Sequence, residues 1–92
     1  MPKPRYSGQF QKDIKKLQKS GRKDIEKLKT VLRKLVDGTP LESKYRDHPL
    51  LGSLKGYRDC HIEPDWLLIY RIDNDKGEIT FVRTGSHSDL FG

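Results

Sequence analysis

Residues 57–72 read YRDCHIEPDWLLIYRI, and their pattern decides the fold. Trp66–Ile72 carries apolar side chains on both alternating faces, as a strand in the middle of a sheet does. Before it, Glu63-Pro64-Asp65 reads as a turn with proline in a permitted position, and Tyr57–Ile62 alternates as a partner strand. After it, Asp73–Gly77 is a polar turn and Ile79–Thr84 a third strand. Upstream, residues 39–56 hold two prolines, glycines and no clear period, which predicts a loop. The short segment Pro4-Arg5-Tyr6 adds a candidate edge strand, where proline is tolerated.

Between that edge strand and the loop lie two helical patterns. Ser7 is placed to cap the first, Phe10, Ile14 and Leu17 form its apolar stripe, and Ser20-Gly21 ends it. In the second, Ile25, Leu28, Leu32 and Leu35 recur at helical spacing, Val31 and Val36 widen the stripe, and Gly38-Thr39-Pro40 stops it. Neither helix is stable alone in water, so the pair is expected to form an antiparallel hairpin against the sheet. The expected fold is a single α+β domain over residues 1–92, ordered βααβββ, with a small, mostly antiparallel sheet and both helices on one face.

Composition narrows the partners. The 92 residues include 19 Lys+Arg, 13 Asp+Glu and no alanine, for a net charge of +6. Residues 1–36 carry 12 basic and 3 acidic side chains, a net of +9, whereas residues 37–92 carry 7 and 10, a net of −3. A basic helical pair suits a polyanion, with RNA or DNA ahead of a membrane surface, or an acidic protein. The longest apolar run, Trp66–Tyr70, is far too short to span a bilayer, and the N-terminal stretch lacks the apolar core of a signal peptide. The single cysteine, Cys60, forms no internal disulfide, so the expected setting is a reduced cytoplasm.

Strand alternation sorts the polar residues. Cys60 and Ile62 suit the helix-covered face, which leaves Asp59 and His61 on the other, about 7 Å apart along the strand. His48, before Pro49, and His87, in the tail, lie in irregular segments that can fold over that same face, and Asp65 sits in the turn. Three histidines, two carboxylates and an arginine suit RNA cleavage through the 2′-hydroxyl, which needs a base, an acid and stabilisation of phosphate charge. Histidine titrates near pH ~6.5 and fills either proton-transfer role. Arg83 offers a planar fork for phosphate oxygens. This chemistry requires no metal or other cofactor. A metal site from Asp59, His61 and His87 is the rival arrangement, but the spacing matches no closed zinc pattern. Plainer structural roles stand beside these. His61 fits a half-exposed strand position and His48 a turn cap. Asp59 could pair with Arg83 or Lys55, and Asp65 is a natural turn residue. Phe91 either plugs the core edge or stacks on a base.

Residues 48–72, HPLLGSLKGYRDCHIEPDWLLIYRI, and 83–92, RTGSHSDLFG, resemble the YafQ toxins, a branch of the RelE/ParE toxin superfamily. The resemblance runs from YSGQFQKD at residues 6–13 to the final LFG. It implies the toxin half of a type II toxin–antitoxin pair, neutralised by a DinJ-type antitoxin in a hetero-oligomer that binds operator DNA. It further implies a ribosome-dependent endoribonuclease that cuts messenger RNA in the small-subunit decoding site. Carried over by position, His87 would be the general acid, and His48 or His61 the base or a phosphate ligand. Asp65 would orient a histidine, with Asp59 and Phe91 in support. Lys55, Arg58 and Arg83 would meet RNA, Arg83 at the phosphate. A ParE-like gyrase inhibitor and a non-catalytic ribosome- or RNA-binding module are the alternative functions for this fold.

Overall fold

The computed structural model describes residues 2–92. In chain order the elements are β1 (Lys3–Tyr6), α1 (Gly8–Ser20), α2 (Ile25–Asp37), β2 (His48–Pro49), β3 (Arg58–Glu63), β4 (Trp66–Asp73), β5 (Glu78–Gly85) and α3 (His87–Phe91). One five-stranded sheet runs in the order β1-β5-β4-β3-β2, antiparallel throughout except for the parallel pair β1 and β5. The expected α+β arrangement is present, with two additions: the two-residue strand β2 inside the predicted loop, and the terminal helix α3. Both rims of the sheet are short strands that contain proline, Pro4 in β1 and Pro49 in β2.

Both long helices begin and end where their caps dictate. The Ser7 hydroxyl accepts the Phe10 N–H at 3.0 Å, and Asp24 accepts the Glu26 N–H at 3.0 Å. Gly21 and Gly38 close the two helices in the left-handed conformation, with φ of 63° and 74°. α1 lies on β5 and α2 on β3, so the helix pair covers one face of the sheet. Phe10, Leu28 and Val31 from the helices meet Cys60, Ile62, Trp66, Leu68, Tyr70, Ile79 and Phe81 in one core. Each such side chain, fully buried, contributes about 1.5–3 kcal/mol. Tyr6, Phe10 and Phe81 stack with ring centres 5.6–6.0 Å apart and tie β1, α1 and β5 together.

Trp66–Tyr70 is buried on both faces, as a central strand should be. One detail departs from simple alternation. Tyr70 pairs with Phe81 but Ile69 pairs with Arg83, so Val82 bulges out of register. The bulge is held by Ser7, whose hydroxyl donates to the Val82 carbonyl at 2.7 Å while capping α1. Beyond it the parity of β5 reverses: Thr84 turns inward and Arg83 no longer shares a face with Ile79 and Phe81.

Candidate active site

The unforeseen strand β2 places His48 directly opposite Asp59 on β3. Two positions along β3, His61 shares the Asp59 face, and the β3–β4 turn brings Asp65 beside His87 at the start of α3. Three imidazoles therefore form a row. Ring centres are 6.5 Å apart from His48 to His61 and 5.5 Å from His61 to His87. Behind the row, the buried side chains of Leu67 and Ile69 pair with His61 and Asp59 in register and form an apolar floor.

Each ring is oriented by an oxygen at Nδ1. His48 faces the Pro49 carbonyl at 3.1 Å, His61 the Pro64 carbonyl at 3.3 Å, and His87 the Asp65 Oδ1 at 2.7 Å. Such oxygens only accept, which assigns the Nδ1 proton in all three rings and leaves Nε2 of His61 and His87 open to substrate. His48 is different, because its Nε2 lies 2.7 Å from Asp59 Oδ1. That separation is an ion pair's, but the ring N–H is not aligned on the oxygen, and Oδ1 accepts no directed hydrogen bond.

The two carboxylates are tuned in opposite directions. Asp59 has a side chain only 4% exposed, and its burial raises the carboxyl above its ordinary range, against the pull of His48, His61 and His87. Asp65 is exposed and is lowered by the backbone N–H and ring of His87, both bonded to its Oδ1. The His87 backbone is set in turn by Ser86, which caps α3 and exchanges hydrogen bonds with Asp89. Gly85 lets this turn close, since a Cβ there would stand 3.1 Å from the Asp89 side chain.

The predicted RNA-contacting residues scatter. Arg58 lies on the opposite face of β3, where its Nε meets Asp47 at 3.3 Å. The same Asp47 oxygen accepts from the Tyr70 hydroxyl. Lys55 is exposed between β2 and β3, and Phe91 is about half exposed at the end of α3. Arg83 is committed elsewhere: Nε and Nη2 reach the two oxygens of Asp13 on α1, each at 3.1 Å. Asp13 is itself buried and also accepts the Thr84 N–H at 3.1 Å. The Thr84 hydroxyl accepts from Trp66 Nε1 at 2.9 Å and donates to the Leu67 carbonyl, extending the network into the core. Sequence reasoning missed Asp13, although it is the lone acid among four lysines on α1. As for metals, donor atoms of His48, Asp59 and His61 lie within 4.8 Å of one another. Two imidazoles and a carboxylate suit first-row transition ions. His87, part of the predicted set, is replaced there by His48.

The family model "Bacterial toxin of type II toxin-antitoxin system, YafQ" matches residues 2–92. The chain is 52% identical over 88 residues to the mRNA interferase toxin YafQ of Escherichia coli, covering 95% of this chain and 92% of that protein. It is 40% identical over 87 residues to a putative toxin YafQ of Haemophilus influenzae, covering 90% and 85%. Among solved structures it superposes on the Escherichia coli DinJ-YafQ complex with a TM-score of 0.91, at 49% identity over the whole of both chains. A metal-bound toxin from Helicobacter pylori gives 0.91 at 45% identity over 99% of this chain and 100% of that one.

Proposed function

The chain belongs to the YafQ family of bacterial type II toxin–antitoxin toxins, and from that premise we propose that its imidazole row is where it cuts RNA. It is an mRNA interferase, an endoribonuclease whose inhibitory partner is an antitoxin of DinJ type. The setting we assign is the cytoplasm, where the toxin acts on messages in the ribosomal decoding site; with its antitoxin it binds operator DNA. Among the described residues, no helix is long and apolar enough to cross a membrane.

The observation that carries the site is the shared orientation of His61 and His87, each tied at Nδ1, with ring centres 5.5 Å apart. One phosphodiester can bridge that separation. His61 Nε2 takes the proton from the 2′-hydroxyl, whose oxygen attacks the adjacent phosphorus. The bond to the 5′-oxygen breaks, and His87 Nε2, protonated, delivers its proton to that leaving oxygen. The products are a 2′,3′-cyclic phosphate and a free 5′-hydroxyl. Asp65 holds the His87 ring in place, while Asp59 positions His48 at the end of the row. A transition-metal ion on His48, Asp59 and His61 would tie up the His61 ring that this chemistry uses as base, so in this reading it inhibits.

The test is expression of His87→Ala. Growth arrest should be relieved and cut transcripts should disappear. Arrest and cutting at the level of the unsubstituted toxin, or DNA damage with intact transcripts, would overturn the assignment.

A further inference from the structure

The message backbone needs cations beside the row, and the strand arginine is bound to Asp13. A second groove of about 690 Å³ opens from His61 and Asp65 and runs between α2 and the 3-10 turn Ser43–Tyr45. Its size falls in the usual range of about 300–1,000 Å³ for ligand clefts, room enough for a nucleotide. Lys27 and Thr30 of α2 line one wall, and Lys44, Tyr45 and Arg46 the other. Glu63 also borders it, but that carboxylate is already held by Lys23 at 3.3 Å and Lys27 at 2.9 Å. Lys44 stands 4.0 Å from Glu42, and Asp65 is bound to His87. Among the described residues, Arg46 alone of these cations has no carboxylate partner.

Arg46 has a second peculiarity. Its backbone is left-handed, with φ 49° and ψ 44°, and it is the only non-glycine residue with positive φ among those described. That conformation is unfavourable for a side-chain-bearing residue, and glycine or asparagine would serve the turn better. The strained arginine stands at the mouth of the groove, two residues before His48. The turn behind it is fixed by Tyr45, packed against the core with the Lys34 and Lys44 ammonium groups 5.4 Å and 5.1 Å from its ring.

We infer that this groove seats the single-stranded message next to the cut, with Arg46 gripping a backbone phosphate and Lys44 and Lys27 flanking it. The inference rests on the cleavage reading above and adds a binding track to it. Continuity with His61 and Asp65 is what favours RNA over an acidic antitoxin segment.

The test measures cleavage of a message on programmed ribosomes against toxin concentration, at several KCl concentrations. Arg46→Asn removes the charge while keeping a residue that accepts the left-handed backbone. Thr30→Glu puts a negative charge on the opposite wall from an exposed helix position, without touching the strained turn. Both should raise the half-saturating concentration, Arg46→Asn by about tenfold, with little change in the plateau rate. For Arg46→Asn the slope of log affinity against log salt should fall by about 0.7, one phosphate contact on a single strand. Unchanged half-saturation in both variants overturns the groove, as does a loss confined to the plateau rate. So does weakened antitoxin binding with message binding intact. His87→Ala run alongside separates the two claims: if it still cuts, the cleavage reading fails whatever Arg46→Asn does.

Discussion

The Asp13 network makes a quantitative prediction about stability. Replacing Asp13 with alanine removes the acceptor of the Thr84 N–H and of both Arg83 nitrogens at once. Thr84 is buried, so its orphaned N–H costs about 1–3 kcal/mol. The lost charge-assisted fork costs about 1.5–3 kcal/mol more, and the lower part of that range applies because the Arg83 side chain is 32% exposed and regains some hydration. A total near 3–4 kcal/mol is large against the roughly 5–14 kcal/mol expected for a domain of 92 residues. Urea and thermal unfolding followed by the single tryptophan are the assays, and Trp66 is well placed because its indole N–H bonds to Thr84. The melting temperature should fall by at least about 12 °C. Arg83→Met should also destabilise, but Asp13→Ala with Arg83→Met should cost less than the two singles together, because no unpaired charge remains. A loss under about 1 kcal/mol for Asp13→Ala, or strict additivity of the pair, would refute the view that these groups act as one buried unit.

Two further outcomes follow from the tuned carboxylates and the donor cluster. Burial raises Asp59, so the native chain keeps that proton above pH 3.8, where the unfolded chain has released it. The stability this provides is full below the unfolded pKa and is lost as pH rises through the native one. Asp59→Asn does not titrate and should gain in stability on the unsubstituted protein as pH rises above 3.8, while cutting more slowly because His48 loses its charged neighbour; parallel stability profiles would contradict this. Equimolar Zn²⁺ should slow transcript cleavage and a zinc-selective chelator that spares Mg²⁺ should restore it, with His48→Ala weakening the inhibition. Undiminished cleavage by the zinc-loaded protein would remove His48, Asp59 and His61 from the chemistry.

The helices and central strands were legible because local chemistry decides them. Ser7, Gly21 and Gly38 cap regardless of distant contacts, and Trp66–Tyr70 is buried on both faces wherever it sits. Asp59 and His61 sharing a face followed from strand parity alone. The pairing of His48 with Asp59 did not, because β2 is two residues long, includes a proline and has no period to detect. Arg83 illustrates the limit of parity: strict alternation would put it on the face of Ile79 and Phe81, but the Val82 bulge reverses the strand. That bulge is stabilised by Ser7, 75 positions away, a contact no local pattern contains. α3 was hidden for a related reason, since five residues carry too little periodicity and its capping box is its main signal.

The two proline-bearing rims have a consequence for self-association. An open sheet edge invites a second strand, and repeated pairing of that kind leads to fibres. Here Pro4 interrupts the outermost row of donors on one side, and only His48 and Pro49 form the strand on the other. The sheet therefore offers no continuous ladder to other copies of the chain.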